Sequence, residues 1–391
     1  MSPGLGTQGG GACPACRRRR WLLAELGGVL DYHAHERTRL LELLALEDGE
    51  LLGALAGRRA PALRERYERF AEAEAEAEAE AGAGADAGTI EICRHDPRFP
   101  SVLAAPEAPR MLELSASAER LAEMLAAPAV AIAGSRTPSD YGRQTASSLA
   151  RGLSASGVTV VACLAEGIAM EAHLGAHGLG RGSVAVAPDG LGVEPPAHVR
   201  GLRGRIARAG CVVAELPFAC EGRRWGAAAG ERTVVELAAA VVVVEARDTP
   251  ADLGVAEFAR ARGVALAAVP GRVTSSLAQG TNGLLVQGAA SLVRGAEDVL
   301  ELLWAAGARG GTPGGERRAG AGPAGAWPGV REDLRAVLER VGEGCDTPDK
   351  LAGGGADHWE LLGQLGELEL LGLLGRGGGG RYVPRAPRSS L

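Results

Sequence analysis

The sequence is short of lysine. A single one, Lys350, stands among 42 basic residues, so arginine carries nearly all of the positive charge. Beside abundant alanine and 59 glycines, this balance reads as the coding bias of a GC-rich genome, and arginine richness alone is weak support for phosphate binding. A global basic field is lacking too. The 48 acidic residues leave a net charge of −6, so any nucleic-acid contact has to be a local patch. No uncharged apolar run reaches about 18 residues, and no membrane span is expected. Met1–Ala12 is Gly-rich and lacks the basic-then-apolar order of a signal peptide, which makes a cytoplasmic protein the expectation.

Catalytic signatures are also missing. There is no HExxH, no GxSxG and no Walker A sequence. The PGGxGT turn of nucleoside-monophosphate phosphoribohydrolases has no counterpart, since Pro270-Gly271-Arg272-Val273 does not substitute for it. Neither an enzyme nor a cofactor is expected on these grounds; a nucleotide-binding or nucleotide-hydrolysing enzyme on a related Rossmann-like fold, or a degenerate scaffold with weak DNA binding, stands as the alternative. Cys13-Pro-Ala-Cys16 has zinc-ligand spacing, but no second CxxC or His pair stands near it in sequence. An inert or loosely redox-active pair without metal is the reading, and the other five cysteines read as small core residues.

What the chain does have is order. At 391 residues it suits two or three domains. Residues 1–20 read as a disordered tail ending in Arg17–Arg20. Between residues 21 and 70 leucines recur at helical spacing (Leu22, Leu26, Leu30; Leu40, Leu43, Leu44; Leu51, Leu52, Leu55), which predicts a small helical domain. The Ala-Glu tract would be acidic on every face of a helix, so residues 71–88 read as a linker. From Ala129 short apolar runs alternate with amphipathic stretches. Strands are expected at Ala129–Ala133, Val158–Leu164, Ser183–Ala187, Cys211–Glu215, Val241–Glu245 and Ala265–Val269, with helices between them. That pattern predicts an α/β domain over residues 89–304, a Rossmann-like, doubly wound, mostly parallel sheet with its ligand site at the carboxyl ends of the strands. Residues 305–326 read as a flexible linker. Residues 327–387 resemble a winged-helix-like domain in outline: two or three helices, a Gly-rich turn and a short strand. Eight basic residues, counting Arg388 just beyond it, against ten acidic favour a protein contact over DNA docking.

The first strand ends in Gly134-Ser135-Arg136, and Tyr141-Gly142-Arg143 opens the next helix. Glycine lets a backbone approach phosphate, serine and amides donate to it, and arginine matches its geometry. A plain strand-to-helix turn with solvated arginines is the equal alternative. Further along come Leu164-Ala165-Glu166-Gly167-Ile168, Glu171-Ala172-His173, Pro188-Asp189-Gly190, Ala214-Glu215-Leu216-Pro217, Val269-Pro270-Gly271, Gly280-Thr281-Asn282-Gly283-Leu284-Leu285 and Gly288-Ala289.

This ordered series resembles the DprA/Smf family (DNA-processing protein A). The family pattern runs GSR…YG, GLARGID…AH, SE-x-P, RNRII, VVEA, SGSL-x-T, AVPG and G-x-N-x-LI…GA. Upstream, Asp96-Pro97-Arg98-Phe99-Pro100 and Pro109-Arg110-Met111-Leu112 fit the segment leading into it. Downstream, Leu365–Gly372 and Gly380-Arg381-Tyr382 fit the family's winged helix. The resemblance implies a non-enzymatic mediator that binds single-stranded DNA in natural transformation, helps load a RecA-type recombinase and forms a homodimer. By the same resemblance Gly134, Ser135, Arg136, Arg143, Arg232, Gly280 and Asn282 form the phosphate-facing set. The chain departs from the pattern at Glu166 and Ala169, at Gly230-Glu231, and at Pro250–Val255, where the hydroxyls are gone. The changes at Glu166, Gly230-Glu231 and Pro250–Val255 remove donors or positive charge, which predicts weakened phosphate binding.

Other candidates carry two readings. Arg200, Arg203, Arg205 and Arg208 with His198 form either a basic patch or a solvated face. Trp225 after Arg223-Arg224 either stacks on a base or anchors its loop. His173 reads as a buried hydrogen-bonding histidine, and Glu215 as an ion-pair or capping residue.

Overall fold

A computed structural model of the chain describes residues 12–80, 89–179, 182–309, 331–342, 345, 347–352, 358–371, 373–376 and 382–384. The tail residues 1–11, the linker stretches 81–88 and 310–330, and Gly380-Arg381 lie outside them. The chain divides into two compact units, Met1–Leu303 and Trp304–Leu391.

Five helices open the first unit: α1 (Pro14–Glu25), α2 (Gly27–His33), α3 (Arg37–Ala45), α4 (Asp48–Leu55) and α5 (Ala60–Glu80). An antiparallel pair follows, β1 (Ile90–Cys93) and β2 (Met111–Leu114), then α6 (Ala118–Leu125). The expected alternation comes next: β3 (Ala129–Ala133), α7 (Asp140–Ala155), β4 (Thr159–Cys163), α8 (Ile168–Ala176), β5 (Ser183–Ala187), α9 (Ala197–Ala209) and β6 (Cys211–Ala214). It continues through α10 (Arg223–Glu236), β7 (Ala240–Val243), α11 (Pro250–Arg262), β8 (Ala265–Ala268), α12 (Gln279–Val286), β9 (Ser291–Leu292) and α13 (Ala296–Arg309).

The nine strands form one sheet in the order β1-β2-β6-β5-β4-β3-β7-β8-β9. β3 to β9 run parallel, and β2 joins β6 antiparallel. The central strands are Val/Ala runs buried on both faces, which is why they read so plainly from sequence. Their side chains alternate. Val130 and Ile132 pack with Leu149 and Leu153 of α7, while Ala131 and Ala133 face the opposite core.

The N-terminal helices are not a separate domain. Leu22, Leu26, Leu30, Leu40 and Leu51 share one core with Ala131, Val161, Val213 and Val241 of the sheet. Their leucine ridges are covered by the sheet's own helices and strands, so neither part buries its apolar face alone. The expected tail is corrected as well, because α1 begins at Pro14. Three of its four arginines are committed to ion pairs. Arg17 and Arg20 both meet Glu91, Arg20 meets Glu113 at 3.2 Å, and the buried Arg19 meets Asp48 at 2.8 Å. Likewise, α5 runs through the Ala-Glu tract to Glu80, and α13 runs to Arg309 into the stretch expected as linker.

His173 is buried in α8, as the sequence suggested. Its Nε2–H donates to the Cys163 carbonyl at 3.3 Å, which leaves Nδ1 to accept from the Ser183 hydroxyl at 2.9 Å. Burial pushes its pKa down to about 4. A depressed histidine contributes stability that is full above its unfolded pKa and is lost as pH falls through the folded value. About 3 kcal/mol is therefore expected to disappear between about pH 6.5 and 4. Urea midpoints across that range should fall in the wild type and stay flatter in His173→Gln.

The second unit holds α14 (Glu332–Gly342), α15 (Pro348–Ala352), α16 (His358–Leu370) and an antiparallel pair, β10 (Leu374–Arg376) with β11 (Tyr382–Pro384). Leu334, Leu338, Leu361, Leu365 and Tyr382 give it a core of its own.

Candidate nucleic-acid interface

The strand order reverses between β3 and β7, so the crevice outside their carboxyl ends is the natural ligand position. The register pairs Ala133 with Val243 and sets the two following loops side by side. Gly134 makes this possible: its φ is +153°, and a Cβ there would stand 2.5 Å from the Glu245 carbonyl. Ser135 then donates its N–H to that carbonyl at 2.6 Å.

The Glu245 side chain decides what the crevice can accept. Its carboxylate takes hydrogen bonds from the Ser139 N–H and hydroxyl, both at 2.8 Å. Ser139 is the N-cap of α7, and its hydroxyl also accepts from the Gly142 N–H at 3.2 Å. The start of α7 would otherwise be an anion site, through its free amides and its dipole. A buried carboxylate already fills it.

Four of the seven residues expected to face phosphate cluster at this end of β3. Gly134 shapes the loop. Ser135 is fully buried and its hydroxyl accepts from the Thr137 N–H at 3.2 Å, so it orders the turn rather than meeting solvent. Arg136 is exposed and makes no ion pair among the described residues. Arg143 is half-exposed, 3.8 Å from Glu171. It also lines an open cleft of ≈ 450 Å³ along α7 with Asp140, Gln144, Ser147, Ser148, Arg151 and Glu171, whose charges are mixed.

The other three have supporting or unrelated roles. The Gly280 N–H donates to the Ala246 carbonyl at 2.9 Å, and a Cβ there would stand 2.6 Å from the Arg247 carbonyl. Asn282 clamps the loop after β8, accepting from Gly271 N–H at 3.1 Å and donating to its carbonyl at 3.2 Å. Arg232 is a clear correction. It is 1% exposed, paired with Glu215 and donating to the Glu107 carbonyl, and cannot reach a ligand in solvent.

Sequence reasoning missed Arg247. It follows β7 at the switch point, half-exposed, held by Asp252 at 3.0 Å and donating to the Thr137 hydroxyl at 3.3 Å. Its place after Val241–Ala246 at a strand's carboxyl end was the available signal. Tyr141 stands at the same rim, 52% exposed, with its hydroxyl donating to the Pro270 carbonyl at 3.1 Å.

Several of the remaining candidates have structural partners, while Arg205 and Arg208 are exposed. Trp225 is buried and anchors the start of α10, its backbone N–H donating to the Asp31 carboxylate at 2.6 Å. Arg200 pairs with Glu194, and Arg203 caps the carbonyls of Leu191 and Val193. Glu166 is half-exposed and meets His198 at 3.3 Å. Gly167, next to it, has φ +83° and packs on the Ser135–Arg136 backbone, where Ile168 N–H donates to the Ser135 carbonyl at 3.1 Å. Cys13 and Cys16, expected to lack further ligand partners, stand against Cys93 and His95.

Comparison with known proteins agrees with this architecture. A model of the family described as DNA recombination-mediator protein A matches residues 91–304. A Mycobacterium tuberculosis protein named as a DNA processing protein DprA is 38% identical over 247 residues, covering 63% of this chain and 61% of the relative. The chain thus spans about three-fifths of that relative's length. Protein Smf of Escherichia coli is 31% identical over 175 residues, covering 44% of this chain and 46% of its own. The X-ray structure of DNA processing protein A from Streptococcus pneumoniae shares the fold, with a TM-score of 0.56 and 24% identity over 72% of this chain and 96% of that one. Among the described residues no helix is long and apolar enough to cross a membrane. With more than half of its length inside the matched region, the chain belongs to the DNA recombination-mediator protein A family, DprA/Smf.

Proposed function

We propose that this chain is a non-enzymatic recombination mediator that binds single-stranded DNA along the rim of the β3–β7 crevice. The observation that carries the proposal is the pairing of a closed niche with an open strip. Glu245 fills the start of α7, where a compact nucleotide phosphate would bind, and so disfavours a nucleotide-handling enzyme. Outside it lie exposed Arg136, the Thr137 hydroxyl and Arg247. An extended phosphate backbone suits such a strip, and the exposed Tyr141 ring supplies a face on which a base stacks. Glu166 repels phosphate beside this strip and keeps the binding modest.

Recruitment of a RecA-type recombinase, self-association as a homodimer and a cytoplasmic location belong to the same proposal, supported by family membership. The second unit, three helices and a two-stranded hairpin with an excess of acidic residues, fits a winged-helix-type protein contact. Anisotropy with a labelled oligo-dT tests the DNA-binding proposal. Arg136→Ala should weaken binding about tenfold, the worth of one charge-assisted contact, and Glu166→Arg should strengthen it. A nucleotide-dependent rise in melting temperature with no oligonucleotide binding would favour the enzyme reading instead.

A further inference from the structure

We propose that Cys13, Cys16, Cys93 and His95 form a closed zinc site that fastens the first helix to the edge of the sheet. The four residues come from two places separated by 80 positions. Cys13 is the N-cap of α1, and Cys16 lies in its first turn. Cys93 ends β1, and His95 lies in the turn that follows, closed by a hydrogen bond from Asp96 N–H to the Cys93 carbonyl at 2.8 Å.

Their ligand atoms converge on one point. The three Sγ atoms and the imidazole nitrogen all lie within 4.8 Å of one another. His95 Nδ1 stands 3.2, 3.5 and 3.9 Å from the sulfurs of Cys13, Cys16 and Cys93. A tetrahedral zinc with Zn–S of about 2.3 Å and Zn–N of about 2.0 Å holds sulfur and nitrogen about 3.5 Å apart. The observed distances bracket that value.

The surroundings suit thiolates. The Cys13 N–H, at the N-cap of α1, donates to the Cys93 sulfur at 3.4 Å, and the positive end of the helix dipole favours thiolate there. Cys16 and Cys93 are buried with Ala12 and Met111 on the inner side, while His95 closes the outer side. Four protein ligands leave no open position for a substrate, so the metal is structural. Three sulfurs and one imidazole in a tetrahedron select zinc over harder, oxygen-seeking ions. A disulfide would use two of these sulfurs and leave the other sulfur and the imidazole unexplained; all seven cysteines are free thiols.

The test is metal content of the full chain, purified without chelator. One equivalent of zinc per chain is expected, released when the thiols are modified and lost in Cys16→Ser and in Cys93→Ser. Because those variants lose a fastening of the fold, wild-type protein is also reconstituted with cobalt. It should then show the intense visible bands of a tetrahedral ion and a thiolate charge-transfer band. His95→Cys should keep the metal, and His95→Ala should surrender it faster to a competing chelator. Folded protein that lacks zinc and gives no cobalt spectrum would overturn the proposal. So would zinc retained undiminished in both serine variants, or a Cys13–Cys16 disulfide as the native state.

Discussion

Replacing Arg232 with methionine is expected to cost about 3–5 kcal/mol of stability, the largest effect of any single arginine in the first unit. The guanidinium is 1% exposed and lies between the Glu215 carboxylate and the Glu107 carbonyl. Methionine would fill much of the volume but leave Glu215 buried beside β6 with no counter-charge. Whole domains are stable by only about 5–15 kcal/mol, so the variant should unfold at markedly lower urea. The double variant Arg232→Met with Glu215→Leu should recover most of the loss, because an apolar pair replaces the ion pair without stranding a charge. Oligonucleotide binding by the folded fraction should be unchanged. Arg136→Ala should show the reverse pattern, with stability kept and binding weakened. A loss of DNA binding at Arg232 without loss of stability would return that residue to the phosphate-facing set.

Gly167→Ala should be comparably severe, and for a different reason. At φ +83° a side chain strains the backbone, and its Cβ would clash with the Ser135 carbonyl and stand 2.6 Å from Arg136 Cα. The atoms in the way are backbone, held by hydrogen bonds to Glu245 in the loop after β7 and to Ile168 of α8, and they cannot rotate aside. Strain and overpacking together are expected to cost about 2–5 kcal/mol. Gly157 separates the strain from the clash: its φ is +79°, and a Cβ there would meet nothing within 4 Å. Gly157→Ala should therefore cost only about 1 kcal/mol in the same denaturation experiment. Gly167→Ala should also displace the Ser135–Arg136 loop and weaken oligonucleotide binding, whereas Gly157→Ala should leave binding alone. Equal costs at the two glycines would mean that the loop is not packed as described.

The parallel core was legible because its strands are uninterrupted Val/Ala runs, and Ala129–Ala133 and Ser183–Ala187 fall where the sequence placed them. The antiparallel edge was not. β2 carries Glu113, which is 1% exposed and held by Arg20, a partner 93 residues away. No local pattern announces a buried glutamate of that kind. The helical region was correctly read as helical, but its leucines gave no sign that the sheet would cover them. At the site, the Gly134–Arg136 turn was found because the residue types and their position after a strand agree with phosphate chemistry. Arg232 misled for the opposite reason, since an arginine inside a family motif looks the same whether it meets DNA or Glu215. The Cys13–Cys16 pair looked incomplete because Cys93 and His95 reach it only through the fold.

The central claim is that exposed arginines at the β3–β7 rim hold a single-stranded phosphate backbone. The dependence of oligo-dT affinity on salt measures this most directly, because each neutralised phosphate releases counterions. Engagement of Arg136, Arg143 and Arg247 predicts a slope of about −2 in log affinity against log salt, which becomes shallower by about 0.7 in Arg136→Ala. No binding at low salt, or a slope unchanged by Arg136→Ala, would contradict it.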